Sequence, residues 1–195
     1  MTPVRTDIRL VLAALLAVGG VALGEQPALK LSAWPDQVAT PKFVLQGVDG
    51  QQHTLASYAG SVTVVYFGFL SCPDLCPATL LKLSRALKEL GPAHRPVKVL
   101  FVTLDPTHDS PKALQAYVGA FDSHIIALTG SSTQVNAAAA AFFVQHSRIT
   151  TDGRATIDHS TGVFLVDADG RLRAVGSDQS PIEDFVHDLR LLAAQ

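Results

Sequence analysis

Cysteine, methionine and tryptophan are scarce in this chain: two, one and one among 195 residues. Two cysteines cannot make a disulfide-dense mini-fold. The single methionine, Met1, excludes a methionine-rich metal arm. Basic residues are not in excess either. Lys plus Arg number 15 against 17 for Asp plus Glu, a formal charge of −2. Nothing there would neutralise a phosphate backbone, which argues against nucleic-acid binding. The chain also lacks long like-charge runs and repeats at solenoid spacing. What it has is apolar material: 48% hydrophobic against 16% charged residues. That excludes a disordered chain and suffices for one sizeable core.

The N-terminus reads as a targeting segment. Arg5 and Arg9 precede Leu10 to Gly24, an apolar stretch of 15 residues (LVLAALLAVGGVALG). A basic region followed by such a stretch is an export signal or a short anchor. As a helix it would span about 22 Å, against a bilayer core of about 30 Å. Length favours a cleaved signal, with Ala22-Leu23-Gly24 as a small-residue cleavage site. An uncleaved anchor needs Arg9 to snorkel and Ile8 to join the span. A lipid anchor of the lipobox kind is excluded, because no cysteine precedes Cys72. Residues 1–25 are thus a signal or membrane anchor. Residues 26–41, with Pro27, Pro35 and Pro41, are a linker. Residues 42–195 form one domain outside the cytoplasm, with no further segment of membrane-spanning length.

Within that domain, Lys42 to Val48 and Gln51 to Leu55 flank Asp49-Gly50, a β-hairpin signal. Val62 to Phe69 (VTVVYFGF) is continuously apolar, the mark of a strand buried on both faces. Pro77 to Leu90 carries leucines at helical spacing and stops at Gly91-Pro92. Val97 to Leu104 is a second buried strand. Ser110-Pro111 opens a helix to about Phe121. Ile125 to Leu128 is a short strand, and Ser132 to Phe143 an alanine-rich helix. Val163 to Val166 and Leu172 to Val175 form a second hairpin. Pro181 to Ala194 is an amphipathic terminal helix. Strands alternating with helices predict an α/β sheet with helices on both faces.

Chemistry concentrates at Cys72-Pro73-Asp74-Leu75-Cys76-Pro77, between the central strand and the first helix. Pro77 suits the first helical position and biases Cys76 away from helical dihedrals, which places Cys76 near the N-cap. Unpaired N–H groups and the positive end of the helix dipole there favour a thiolate. A thiolate is the nucleophile of disulfide exchange and also a soft ligand for Cu(I) or Zn. A structural disulfide is the competing reading, but it would close only a tiny loop and stabilise little. Three residues separate the cysteines, not the two of a thioredoxin motif. Asp74 between them reads as a solvated turn residue, with partner docking as the alternative.

Two thiolates alone make a sparse metal site, so a third ligand is expected elsewhere. His159, in Ile157-Asp158-His159-Ser160-Thr161, lies just before the buried strand Gly162 to Asp167. Loops at strand ends bring distant segments to one edge of such a sheet. The residues alone leave His159 one candidate, since a His beside an Asp is common. His53 sits in a hairpin strand, His94 after a helix stop and His187 on the terminal helix. His108 and His124 flank helix ends, and His146 lies in a polar connection. For these six a surface or satisfied core imidazole is the simpler reading.

Tyr66 to Pro77 (YFGFLSCPDLCP) resembles the signature of the Sco/SenC family. So do Val102 to Pro111 (VTLDPTHDSP) and Gly119 to Gly130 (GAFDSHIIALTG). Asp158-His159-Ser160 followed by Phe164 to Gly170 (FLVDADG) completes the set. These blocks follow the family's order and spacing over nearly all of residues 42 to 190. The resemblance implies a thioredoxin-like fold that binds one copper and serves cytochrome c oxidase. Members deliver copper to the dicopper CuA site of subunit II, or keep that site's cysteines reduced. The family's copper ligands carry over to Cys72, Cys76 and His159. Asp105 of the D-P block is a further family position, behind the ligands or as a weak ligand. Implied partners are the oxidase subunit and a copper donor. Implied location is the periplasmic or equivalent face of an inner membrane, with an N-terminal anchor. Two places depart from the family pattern: the pair Leu70-Ser71 before the first cysteine, and His108 where an Arg is frequent. Neither is a ligand position.

Two other functions compete. A thioredoxin-type thiol-disulfide oxidoreductase would use Cys72 and Cys76 as its redox pair. Such an enzyme usually carries a proline just before the penultimate strand. This chain has none between Gly153 and Pro181, and has His159 in that region. A peroxidase-like member of the same broad fold would attack peroxide with one cysteine. The paired Cys-Pro arrangement and the missing Thr-x-x-Cys pattern speak against it.

Overall fold

In a computed structural model that describes residues 28–91, 96–151 and 153–195, the continuously apolar run after Ser61 is the central strand. In chain order come β1 (Ser32–Ala33), β2 (Leu45–Gly47), β3 (Gln52–His53) and a 3-10 turn at Leu55–Tyr58. Then follow β4 (Val62–Gly68), α1 (Leu75–Leu90), β5 (Val97–Thr103), α2 (Pro111–Gly119), β6 (Ile125–Thr129) and α3 (Ser132–Ala141). Last are β7 (His146–Thr151), β8 (Arg154–His159), β9 (Val163–Val166), β10 (Leu172–Gly176) and α4 (Ile182–Ala193).

Among the described residues one eight-stranded sheet runs in the order β1-β10-β9-β4-β5-β6-β2-β3. β4, β5 and β6 are parallel neighbours; β9 runs antiparallel to β4, and β2 antiparallel to β6. All seven residues of β4 are buried, because side chains alternate between two covered faces. Val62, Val64 and Tyr66 enter one core with Leu80, Leu114 and Leu189, from α1, α2 and α4. Val65 and Phe67 enter the other with Val135 of α3, Phe142 and Phe43. This is the expected sheet with helices on both faces.

Four differences have physical reasons. α1 starts at Leu75 rather than Pro77, with Asp74 as its N-cap. Pro77 then lies in the first turn, where its missing N–H costs no intrahelical bond. The β2–β3 hairpin is shorter than expected, although Gly50 takes the positive φ (80°) that its turn demands. Part of the expected linker joins the sheet. Ser32 and Ala33 pair with β10, and the buried Asp188 carboxylate accepts the N–H groups of Lys30 and Leu31 at 2.8 and 2.9 Å. Finally, β7 and β8 pair with each other as a separate two-stranded ribbon, in a region read as polar connection. β7 is exposed or half-exposed throughout, so no apolar alternation announced it. The signal or anchor at residues 1–25 and His94 lie outside the described residues. Among the described residues no helix is long and apolar enough to cross a membrane.

Candidate metal centre

β4 delivers the chain to the sheet edge at Gly68, and the next turn carries Cys72 into the start of α1. A side chain at Gly68 would put a Cβ 2.9 Å from the Cys76 sulfur and 2.8 Å from the Phe101 ring. Glycine therefore lets the helix N-terminus settle onto the strand end. Two backbone bonds and one carboxylate shape the turn. Cys72 N–H donates to the Phe69 carbonyl at 3.3 Å, and Leu104 N–H to the Gly68 carbonyl at 2.7 Å. Leu70 N–H donates to Asp109 Oδ2 at 3.1 Å, and the same oxygen accepts the Thr103 hydroxyl at 2.5 Å. Asp109 thus straps the cysteine loop to β5. Its burial raises its pKa, with these bonds opposing.

Both cysteines are free thiols; Cys76 is buried and Cys72 half-exposed. Cys76 N–H points at Cys72 Sγ at 3.4 Å, an N–H from the first turn of the helix aimed at the sulfur. His159 ends β8 and puts its Nε2 3.9 Å from Cys76 Sγ. Its Nδ1–H donates to the Ser160 carbonyl at 2.9 Å, so Nε2 faces the sulfurs, with a lone pair in the neutral ring and an N–H in the protonated one. The ring stands edge-on to Phe69, 5.9 Å between centroids. Two donors held about 2.0–2.3 Å from one three-coordinate ion, about 120° apart, lie roughly 3.5–4.0 Å from each other. The Cys76–His159 separation falls inside that range, and the donor set of two sulfurs and one imidazole suits a soft ion. Among the described residues no three His, Cys, Asp or Glu form a ready-made cage. The donors are gathered at one place but not closed around a point.

The electrostatics polarise the pair. The Cys76 thiol donates to Cys72, which outweighs burial and, with His159 and the N–H groups of Cys76 and Asp74, pulls Cys72 down to about 4. The same shared proton, followed by burial, pushes Cys76 up. Burial would lower His159, but bonding to Cys72 and to the Ser160 carbonyl outweighs it and raises the imidazole. The result is one exposed thiolate beside one buried thiol. Tyr66 on β4 is also here. Its buried hydroxyl makes no well-formed hydrogen bond among the described residues, and burial, then the Cys76 sulfur, push its pKa up. Neither Tyr66 nor Asp109 was singled out from the sequence. Asp109 had a readable signal, sitting four residues after Asp105 in the same block.

Asp105 is buried but committed elsewhere. Its Oδ1 accepts from Arg148 at 2.8 Å, His108 Nδ1 at 2.8 Å and the Thr107 hydroxyl at 3.0 Å. Burial opposes these bonds, which together hold its carboxyl below the usual range. No hydrogen bond joins Asp105 to Cys72, Cys76 or His159 among the described residues. Its link to the centre runs through Arg148 on β7, the partner strand of β8. Asp74 is exposed and makes no side-chain cap. Three further imidazoles are partnered away from the sulfurs. His53 bonds Tyr58, His124 bonds Asp122 and His187 bonds Asp188. His146 opens β7 directly opposite His159, and burial, then His159, lower its pKa.

Comparison with known proteins finds relatives over most of the chain. An SCO2-like protein of Rickettsia conorii is 31% identical over 188 residues, covering 90% of this chain and 92% of that one. Apo Sco1 from Thermus thermophilus superposes with a TM-score of 0.75 at 32% identity, covering 87% and 99%. Bradyrhizobium japonicum ScoI, solved with copper bound, superposes with a TM-score of 0.69 at 28% identity, covering 79% and 99%. The fold is the thioredoxin-like one that the resemblance implied. The family profile described as SCO1/SenC matches residues 33–194, the sheet from Ala33 onward with its cysteine turn and ribbon, and this chain belongs to that family.

Proposed function

We propose that this chain binds one copper per molecule through Cys72, Cys76 and His159. In this reading it delivers that copper to the CuA site of cytochrome c oxidase subunit II, or reduces that site's cysteines. The observation that carries the reading is the His159 imidazole 3.9 Å from the Cys76 sulfur, with its Nε2 turned to the cysteine turn. A Sco protein of similar fold has been solved with copper bound, and the Sco family is one of cytochrome c oxidase assembly proteins. Two thiolates and an imidazole suit three-coordinate Cu(I). Cys72 and His159 reach solvent while Cys76 does not, so an incoming thiolate displaces the exposed donors first. In this reading the N-terminal segment holds the domain at the periplasmic or equivalent membrane face, where a copper donor loads it.

Reduction of the target is the second reading, favoured by the exposed Cys72 thiolate beside a buried thiol. Cys72 would attack a target disulfide, one target thiolate would leave, and Cys76 would then displace the other. The products are a target dithiol and a Cys72–Cys76 disulfide. Titrating the reduced chain with copper tests the first reading. Saturation at one equivalent is expected, with intense sulfur-to-Cu(II) charge-transfer absorption that His159→Ala alters. An unchanged affinity and spectrum in His159→Ala would remove His159 from the centre. In cells lacking the protein, rescue of oxidase assembly by added copper points to delivery, and rescue by added reductant to reduction.

A further inference from the structure

The ribbon places a second imidazole where the copper reading has no role for one. β7 and β8 are antiparallel, with His146 opposite His159. The preceding pair, Gln145 and Ser160, is the hydrogen-bonded kind: Ser160 N–H donates to the Gln145 carbonyl at 3.0 Å, and Gln145 N–H to the Ser160 hydroxyl at 3.1 Å. The two kinds of pair alternate along an antiparallel ladder, so His146 and His159 form the non-hydrogen-bonded kind. Such pairs have the closest side chains, with Cα atoms about 4.5 Å apart and both rings on one face. Both histidines line the same open depression, with Gln145, Ser147, Asp158 and Ser160.

His146 is also chemically idle. Each of the other five described histidines has a ring nitrogen in a hydrogen bond with oxygen. The His146 ring has no hydrogen bond among the described residues, although it is half-buried. Surface imidazoles that do nothing are normally solvated or paired with a carboxylate, as His108 and His124 are here. A partly covered, unpartnered imidazole beside a ligand position has its donor atoms available.

We propose that His146 is a further donor of this centre, recruited by Cu(II) and not by Cu(I). The proposal rests on the copper reading above. Cu(I) is satisfied by two thiolates and one imidazole, whereas Cu(II) prefers a tetragonal set with more nitrogen or oxygen donors. A neighbouring imidazole on the same ribbon face supplies that fourth donor without moving the cysteine turn. The oxidation state of the cargo then sets how firmly it is held, since Cu(I) engages one protein ligand fewer than Cu(II).

The test uses the reduced full-length chain, loaded anaerobically with one equivalent of Cu(II), and pulsed EPR to count coordinated imidazoles. Two are expected in the parent chain and one in His146→Gln. Cu(II) affinity should fall roughly tenfold in that variant, while Cu(I) affinity by chelator competition stays unchanged. Circular dichroism of His146→Gln serves as the folding control. One imidazole in the parent, lost in His159→Ala, overturns this proposal and leaves the three-ligand reading intact. Two imidazoles in both the parent and His146→Gln also overturn it. Failure of the parent chain to bind copper overturns the proposed function and this inference together.

Discussion

Cys72 and Cys76 sit on one turn, yet their surroundings drive them apart. Cys76 is buried under the first turn of α1, and Cys72 faces solvent at the positive end of that helix. The Cys76 thiol keeps its proton and donates a hydrogen bond to Cys72, so the charge rests on the half-exposed sulfur, whose pKa is pulled down to about 4. Alkylation by iodoacetamide requires the thiolate. Its rate at Cys72 is therefore expected to stay nearly level from pH 8 to about pH 5, and to drop only as pH falls through the lowered pKa. An ordinary thiol would lose about tenfold per pH unit over that range. Cys76 should be spared throughout. Cys76→Ala removes the largest cause of the shift, so the midpoint for Cys72 should move upward. Peptide-resolved mass spectrometry reads both sites, and a tenfold fall per unit from pH 8 in the parent chain would show that no such thiolate exists.

At the scale of elements, the ribbon matters most, because β8 ends in His159 but shares no ladder with the main sheet. Its anchors are few. Ile157 enters the second core, and Arg148 Nη2 reaches Asp105 at 2.8 Å. Arg148 is half-exposed, so the pair itself adds only about 0–1 kcal/mol to stability. Its value lies in position, since it ties the strand opposite β8 to the loop after β5. Arg148→Met is expected to leave the melting temperature within a few degrees of the parent. Copper affinity should nevertheless fall by roughly 10-fold or more, as losses of ligand-orienting partners do. Chelator competition and calorimetry measure the two effects separately. Equal affinity in Arg148→Met would assign the anchoring to Ile157 alone. The same ribbon marks the limit of legibility. β4, β5 and β9 are buried on both faces, so their apolar runs announced them. β7 and β8 expose most side chains and carry Ser, Thr and Arg, so hydrophobic periodicity had nothing to detect.

At the scale of the molecule, the donors lie 83 residues apart in sequence, His159 from Cys76. The cysteine pair was legible because C-x-x-x-C-P is a local pattern at a strand-to-helix turn. The place of His159 depends on the pairing and docking of the ribbon; the residues alone left it one candidate, and family resemblance singled it out. His146 stayed unread for the same reason, since strand register is set by tertiary structure. Copper bound across this gap would cross-link the β4–α1 turn to β8, and so stabilise the fold by mass action. At free Cu(I) one hundred times the dissociation constant, the gain is about 2.7 kcal/mol. For a domain of this size that raises the melting temperature by roughly 5–10 °C. Oxidation of Cys72 and Cys76 to a disulfide removes both thiolates, so the oxidised chain should show no copper-dependent shift, and chelation should return the reduced chain to its apo value. Differential scanning calorimetry of the reduced, oxidised and chelated forms makes the comparison. An equal shift in the oxidised chain would place the bound copper away from the two sulfurs, and the cysteine pair would then be a redox couple and not a metal ligand.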